Sequence, residues 1–157
     1  MQNTKKNEKF IRVRVAGVVL NRRNELLLVN HVKNGRSYWL LPGGGIEYGE
    51  DVFTAIKREF MEELSLKVLS LGKLVLVHDT IYPGKERHIL NLYFTLKTAS
   101  ADNIKVNPDT VLAGAAFVSM ADFRKKLFYP GIKSDIIKLW KNKFRGTIGY
   151  IKTPWKN

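Results

Sequence analysis

Three glutamates lie close together on one predicted helix. Glu59, Glu62 and Glu63 are spaced i, i+3, i+4, so they share one helical face, turned roughly 100° from the apolar face of the same segment. Such like charges repel, and their oxygen ligands suit a hard divalent cation such as Mg²⁺. A solvated acidic face is the plainer interpretation. The preceding Pro42-Gly43-Gly44-Gly45 favours the metal site, because glycines let a backbone approach a ligand closely.

The charges of the chain are unevenly distributed. The sequence carries 27 Lys and Arg against 14 Asp and Glu, a formal net charge of +13. Residues 44–63, in contrast, contain six acidic and two basic side chains. A basic chain attracts polyanions such as nucleotides, nucleic acids or acidic membranes, although a merely solvated basic surface is an equally good interpretation. The acidic cluster within it indicates a cation site that faces an anionic ligand.

The glycine turn and the acidic helix together match a known pattern. Gly44 is followed after five residues by Glu50, and after seven more by Arg58-Glu59-Phe60-Met61-Glu62-Glu63-Leu64-Ser65-Leu66. This stretch resembles the Nudix box, whose last segment reads Arg-Glu-U-x-Glu-Glu-x-Gly-U with U apolar. Six of the seven fixed residues are present, and Ser65 stands where the family has glycine. The resemblance implies an α/β/α sandwich over nearly the whole chain.

The resemblance also implies a role for each residue of the box. Glu59 and Glu63 would bind Mg²⁺ or Mn²⁺, with Glu62 joining them or positioning a metal-bound water. The carbonyl of Gly43 would complete the set of ligands. The metal ligands would be positioned by residues that do not contact the metal themselves: Arg58, Glu50 and Gly44. Arg58 is also counted among the catalytic residues.

The reaction implied is hydrolysis of a nucleoside diphosphate linked to another group, by attack of water on one phosphorus. The favoured general base is Glu59 or Glu62, and the alternative is an acid of a later loop, Asp102 or Asp109. ADP-ribose or a nucleotide sugar is the expected substrate, ahead of nucleoside triphosphates. An RNA 5′ end and a nucleotide-binding regulatory domain without hydrolysis are the alternatives.

Substrate contacts outside the box are chosen by residue type alone. Arg36 and Arg87 are candidate phosphate contacts, Tyr38 could stack on a nucleobase, and Asp109 lies just before a predicted strand. A wider set of basic residues could serve in the same way: Arg12, Arg14, Lys33 and Lys97. Each of these is individually as well explained as plain surface.

The predicted elements around the box are mainly strands. Segments 11–20 and 25–32 are apolar and β-branched and predict a hairpin, and 38–41 predicts a short strand that ends at Pro42. Segments 66–81 and 87–96 flank Tyr82-Pro83-Gly84-Lys85 and predict a long antiparallel hairpin. A strand is also predicted at 111–120.

Apolar periodicity predicts a helix over 51–64, a short helix or turn at 121–128 and a basic amphipathic helix over 133–144. Strands followed by helices indicate an α+β fold with a mixed, largely antiparallel sheet between helices.

Length and composition limit the remaining possibilities. We expect 157 residues to form one domain, with 1–9 and 147–157 flexible or peripheral. Cysteine is absent, which excludes disulfides, thiolate nucleophiles and cysteine-ligated metals and fits a reducing cytoplasm. Neither a secretory signal nor an apolar run long enough for a membrane span is present, so we predict a cytoplasmic protein without a membrane partner. A homodimer is left open.

Overall fold

The computed structural model describes residues 9–100, 104–107 and 111–154. Within them the chain forms eight strands and three helices. In chain order these are β1 Ile11–Val18, β2 Leu26–Lys33, β3 Arg36–Leu40, β4 Gly43–Gly45, α1 Val52–Leu64, β5 Val68–Ile81, β6 His88–Thr98, β7 Leu112–Val118, α2 Met120–Lys125, α3 Lys133–Lys141 and β8 Gly149–Pro154.

The strands form two sheets. The larger has the order β4-β1-β6-β5-β8, and the smaller has the order β3-β2-β7. β1 pairs with β6, and β5 with β8, in parallel, whereas the other pairs are antiparallel. The predicted α+β class with a mixed, largely antiparallel arrangement is therefore confirmed, with the refinement that the strands divide between two sheets.

Two apolar clusters cover opposite faces of the larger sheet. Val15 of β1 packs in one cluster with Ile56 and Phe60 of α1. Val18 of the same strand packs in the other with Ile136 and Trp140 of α3. Because alternate residues of β1 enter different clusters, the sheet lies between helices on both sides, as a sandwich requires.

The predicted hairpin of the first two strands is wrong over most of its length. The strands meet only at the turn, where Leu20 and Leu26 form a bridge and the amide of Leu27 donates to the carbonyl of Val19. Beyond it β1 and β2 enter different sheets. The first half of β2 is buried on both faces, with Leu26 and Leu28 in one cluster and Leu27 and Val29 in the other, so it contributes to both cores.

The other predicted elements lie close to their expected positions. The helix over 51–64, the antiparallel pairing of β5 with β6 and the helix beginning at Lys133 are confirmed. At the end of the described chain, β8 is an edge strand beside β5. Segments 1–8 and 155–157, parts of the ends expected to be flexible or peripheral, lie outside the described residues. No described helix has the length and apolar character needed to cross a membrane.

Candidate active site

Helix α1 presents the three glutamates because its other face is anchored in the core. Asp51 caps its N-terminus, where the side chain accepts a hydrogen bond of 2.7 Å from the amide of Thr54, and this bond lowers the pKa of Asp51. Ile56, Phe60 and Leu64 are completely buried. The spacing of these apolar side chains fixes the rotation of the helix and turns its acidic face toward the glycine turn.

The helix ends in the same geometry that a glycine would give. Ser65 has φ +48°, in the left-handed region, and its amide and that of Leu66 donate to the carbonyls of Met61 and Phe60. A non-glycine residue in this conformation costs roughly 1 kcal/mol. The exit turn is therefore formed despite the missing glycine.

Asn107 supports this end of the helix from a distant segment. Its side-chain amide donates to the carbonyl of Glu62 at 2.7 Å and to the hydroxyl of Ser65 at 3.2 Å, and its backbone amide donates to the carbonyl of Glu63 at 3.1 Å. These bonds satisfy carbonyls that a helix end leaves without intrahelical partners. The contact was not predicted, because no local pattern relates residue 107 to residue 65.

Strand β4 forms one edge of the larger sheet and turns half of its backbone outward. The amide of Gly17 donates to the carbonyl of Pro42, and the amide of Ile46 donates to that of Val13. In an antiparallel pair the backbone groups face the partner only at every second residue, so Gly43 and Gly45 face away from β1. We call this outward side of Gly43–Gly45 the open edge.

The glycines bring the open edge into contact with the carboxylates of α1. The amide of Gly43 donates to Glu63 Oε2 at 3.1 Å. An ideal Cβ placed on Gly44 would lie 2.2 Å from Glu59 Oε1, so only glycine leaves room for that carboxylate. The structure thus brings Glu63 to Gly43 and Glu59 to Gly44, while their roles as metal ligands stay predictions.

Arg58 links the glutamates to the turn. Its guanidinium makes two bonds to Glu50, of 2.9 and 3.0 Å, and single bonds to Glu59 Oε1 at 2.8 Å and to the carbonyl of Gly45 at 2.9 Å. A longer bond of 3.3 Å reaches Glu62. The hydrogen bonds that Arg58 donates to Glu50 and Glu59 raise the pKa of Arg58 far above its usual value. The bonds from Arg58 and from the amide of Glu47 lower the pKa of Glu50.

The donor atoms at the open edge suit a hard divalent cation. The carboxylates of Glu59, Glu62 and Glu63 and the carbonyl of Gly43 are all oxygen donors, and a nearby glycine makes room for Glu59. Among the described residues, however, no three metal-ligating side chains already converge on one point. Arg58 holds Glu59 and Glu62 in ion pairs, each through one carboxylate oxygen.

Three of the four predicted substrate contacts, Arg36, Arg87 and Tyr38, lie on segments apart from this cluster. Arg36 is exposed on β3 beside the turn at 34–35, in the smaller sheet, and Arg87 is exposed before β6. Tyr38 packs edge to face against His31 and Tyr129, with ring centroids 5.7 and 5.3 Å away. No hydrogen bond or ion pair joins Arg36, Arg87 or Tyr38 to the box within the described part of the chain. Asp102 and Asp109 fall outside the described residues.

Arg12 and Arg14, which the sequence analysis gave only as part of a wider set of basic candidates, lie at the site instead. Nη2 of Arg14 donates to the carbonyl of Gly43 at 3.2 Å. An ideal Cβ on Gly45 would lie 3.2 Å from both Nε and Nη2 of Arg12. The alternation of Ile11-Arg12-Val13-Arg14-Val15 was the available signal, because residues two apart on a strand share a face.

Buried polar side chains continue the row that Arg14 begins. Arg14 is paired with Asn91 across β1 and β6, and Asn91 with His78 across β6 and β5. Asn91 donates to Nδ1 of His78 at 3.3 Å, which leaves the ring proton on Nε2, 2.7 Å from Thr153 Oγ1. Burial lowers the pKa of His78.

Comparisons with known proteins agree with this arrangement. The family model described as the NUDIX domain matches residues 11–139. An RNA pyrophosphohydrolase of Pelagibacter ubique (strain HTCC1062) is 41% identical over 56 residues, which are 36% of this chain and 35% of that protein. An 8-oxo-dGTP diphosphatase of Buchnera aphidicola subsp. Acyrthosiphon pisum (strain APS) is 35% identical over 65 residues, 41% of this chain and 49% of that protein.

These curated relatives are matched over half of their length or less. The likeness in three dimensions extends much further. A solved NUDIX hydrolase from Nitrosomonas europaea superimposes with a TM-score of 0.73 at 22% identity, covering 88% of this chain and 94% of the other. At this identity the match shows a common fold.

Proposed function

Because the chain belongs to the NUDIX family, we propose that it is a divalent-metal-dependent pyrophosphohydrolase that splits the pyrophosphate of a nucleotide. The observation that supports this most strongly is the contact of α1 with the open edge, where Gly43 binds Glu63 and Gly44 makes room for Glu59. A domain that only binds nucleotides would not need all three glutamates, and all three are present, so the regulatory alternative is less well supported.

We assign the roles of the glutamates from their contacts. The side chains of Glu59 and Glu50 are 15% and 10% exposed and are held by Arg58, whereas Glu62 is 60% exposed and meets Arg58 only at 3.3 Å. Glu59 and Glu63, with the carbonyl of Gly43, would hold Mg²⁺, or Mn²⁺ in its place. Glu62 would accept the proton of the attacking water, since its contact with Arg58, at 3.3 Å, is the longest of these and the easiest to break.

A bound divalent cation would neutralise phosphate charge and make water a stronger nucleophile. The protein itself supplies orientation. Arg58 carries the positive charge that offsets the repulsion between Glu59 and Glu62, and its bond to the carbonyl of Gly45 ties this helical face to β4.

The substrate we favour is a nucleotide with a 5′-triphosphate, either free or at the end of an RNA chain. The matched relatives named RNA pyrophosphohydrolase and 8-oxo-dGTP diphosphatase support this choice over ADP-ribose and nucleotide sugars. A net charge of +13 suits a polyanion, and attraction to RNA phosphates would weaken as salt is added. We place the activity in the cytoplasm, in agreement with the absence of cysteine.

The test is a screen of the purified protein with and without Mg²⁺. The panel contains 5′-triphosphorylated RNA, nucleoside triphosphates, ADP-ribose and nucleotide sugars, and the variants are Glu59→Gln, Glu62→Gln and Glu63→Gln. We expect metal-dependent turnover that all three variants lose, while only Glu59→Gln and Glu63→Gln weaken Mn²⁺ binding measured by electron paramagnetic resonance. Metal-independent turnover, or full activity in Glu59→Gln and Glu63→Gln, would contradict the proposal. Gel filtration gives the oligomeric state.

A further inference from the structure

The open edge has a different chemistry on each of its two sides. On the α1 side stand the carboxylates of Glu59 and Glu63. On the other side stand the guanidinium groups of Arg12 and Arg14, because β1 places residues 12 and 14 on the face opposite Val15, which packs against α1. The edge therefore separates a group of negative charges from a pair of positive ones by the thickness of one strand.

The two arginines lack an acidic partner. Arg14 is half-buried, and Arg12 is exposed. None of the ion pairs among the described residues includes either of them, and the one side-chain hydrogen bond of Arg14 goes to a neutral carbonyl. A guanidinium has five donors in a planar fork that matches carboxylate or phosphate oxygens. With one side-chain hydrogen bond made and no anionic partner, the guanidinium of Arg14 has further donors to offer to an anion.

We propose that Arg14, with Arg12 beside it, binds the diphosphate of the substrate from the side opposite the glutamates. This inference rests on the proposed function and adds to it the residues that hold the phosphates. The diphosphate lies across the open edge, and Arg14 donates hydrogen bonds to the phosphate oxygens on the arginine side. Arg12, which is more exposed, contributes less because solvent screens it.

Arg14 should also affect the binding of a cation at the carbonyl of Gly43. In the structure it donates to the same carbonyl that we assign to the cation. A cation held by this carbonyl would repel the guanidinium of Arg14, which would favour contact of Arg14 with a phosphate oxygen. Without Arg14 the carbonyl would be easier for a cation to reach, and the diphosphate harder to hold.

The test is specific because loss of Arg14 should weaken binding of a diphosphate analogue without weakening binding of a divalent cation. The probes are methylenediphosphonate, whose P–C–P bridge resists hydrolysis, titrated calorimetrically in excess Mg²⁺, and Mn²⁺ alone, followed by electron paramagnetic resonance. The variants are Arg14→Ala, Arg14→Lys and Arg12→Ala. Arg22→Ala is the matched control, since Arg22 is exposed in the turn before β2 and its loss changes the net charge equally. Thermal unfolding checks that each variant is folded.

We expect Arg14→Ala to weaken diphosphonate binding by about 10- to 100-fold, the effect of losing charged hydrogen bonds, while Mn²⁺ binds as well as before or better. Arg14→Lys should recover part of this loss, Arg12→Ala should show a smaller one, and Arg22→Ala none. Unchanged diphosphonate binding in Arg14→Ala overturns the inference. An equal loss of diphosphonate and Mn²⁺ binding also overturns it, because Arg14 would then only stabilise the glycine turn.

The two proposals can fail separately. If the wild-type protein shows metal-dependent turnover that Glu59→Gln abolishes, yet Arg14→Ala binds diphosphonate normally, only the role of Arg14 is refuted. If the wild-type protein binds no diphosphonate in Mg²⁺ and turns over no nucleotide, both are refuted.

Discussion

Replacing Gly44 by alanine should disable the site while leaving the fold intact. An ideal Cβ on Gly44 would lie 2.2 Å from Oε1, 2.3 Å from Cδ and 2.5 Å from Oε2 of Glu59. Ordinary contact needs at least 3.4 Å, so the carboxylate must retreat by about 1 Å. The backbone of Gly44 lies outside the positive-φ region and accepts an alanine without strain.

The expected changes in stability and in kcat follow from the displacement of the Glu59 carboxylate. The clash involves only the end of a flexible side chain, so the free energy of unfolding should change by less than about 1 kcal/mol. A displacement of about 1 Å in a reacting or metal-holding group can cost roughly 100-fold in rate, and we expect kcat to fall by about that factor. Binding of Mn²⁺ should weaken together with kcat, since Glu59 is one of its proposed ligands.

The assay pairs steady-state kinetics on the best substrate of the screen with chemical denaturation. Gly114→Ala is the control, because a Cβ on Gly114 would meet no atom within 4 Å and its φ is not positive. That variant should match the wild type in both measurements. A Gly44→Ala protein with wild-type kcat would refute the placement of Glu59, and one that loses stability in proportion to activity would refute the claim that the effect is local.

Three further predictions concern the scaffold and its titration. Ser65→Gly should stabilise the protein by about 1 kcal/mol and raise Tm by about 2–4 °C, whereas Ser65→Ala, which keeps the positive φ and loses the hydroxyl, should lower Tm in the same calorimetric scan. Gly17→Ala would place a Cβ 2.2 Å from Leu96 Cδ1 and 2.5 Å from Phe60 Cζ, so denaturant titration should show a loss of about 1–3 kcal/mol. Because burial lowers the pKa of His78, the unfolded chain binds more protons below about pH 6.5, and the free energy of unfolding should fall as the pH drops below that value. His78→Gln should flatten this part of the stability profile, and an unchanged profile would contradict the assignment.

The sequence predicted what depends on short-range spacing. The positions of Glu59, Glu62 and Glu63 on one helical face and the nearness of Gly43 follow from residues within one helix of about four turns and the loop before it. The bidentate contact of Arg58 with Glu50 was not foreseen in detail, but both residues belong to the same local pattern. Such features need only the periodicity of a helix and the freedom of glycine.

The rest depends on pairings between distant segments. Arg14 reaches Gly43 across 29 residues, Asn107 supports Ser65 across 42, and β1 lies in parallel beside β6 rather than against β2. Composition could not rank Arg14 above Arg36, because both are arginines on strands. Only the register of β1 against β4 shows which of them faces the open edge.

The contacts of β4 also bear on solubility. An edge strand with outward-facing amides and carbonyls invites a strand from another molecule to pair with it. Here the outward amide and carbonyl of Gly43 and the carbonyl of Gly45 are occupied by Glu63, Arg14 and Arg58. The same three side chains that would serve catalysis thus block intermolecular strand pairing at this edge. Variants that remove Arg14 or Arg58 should be examined for aggregation before any loss of activity is attributed to chemistry.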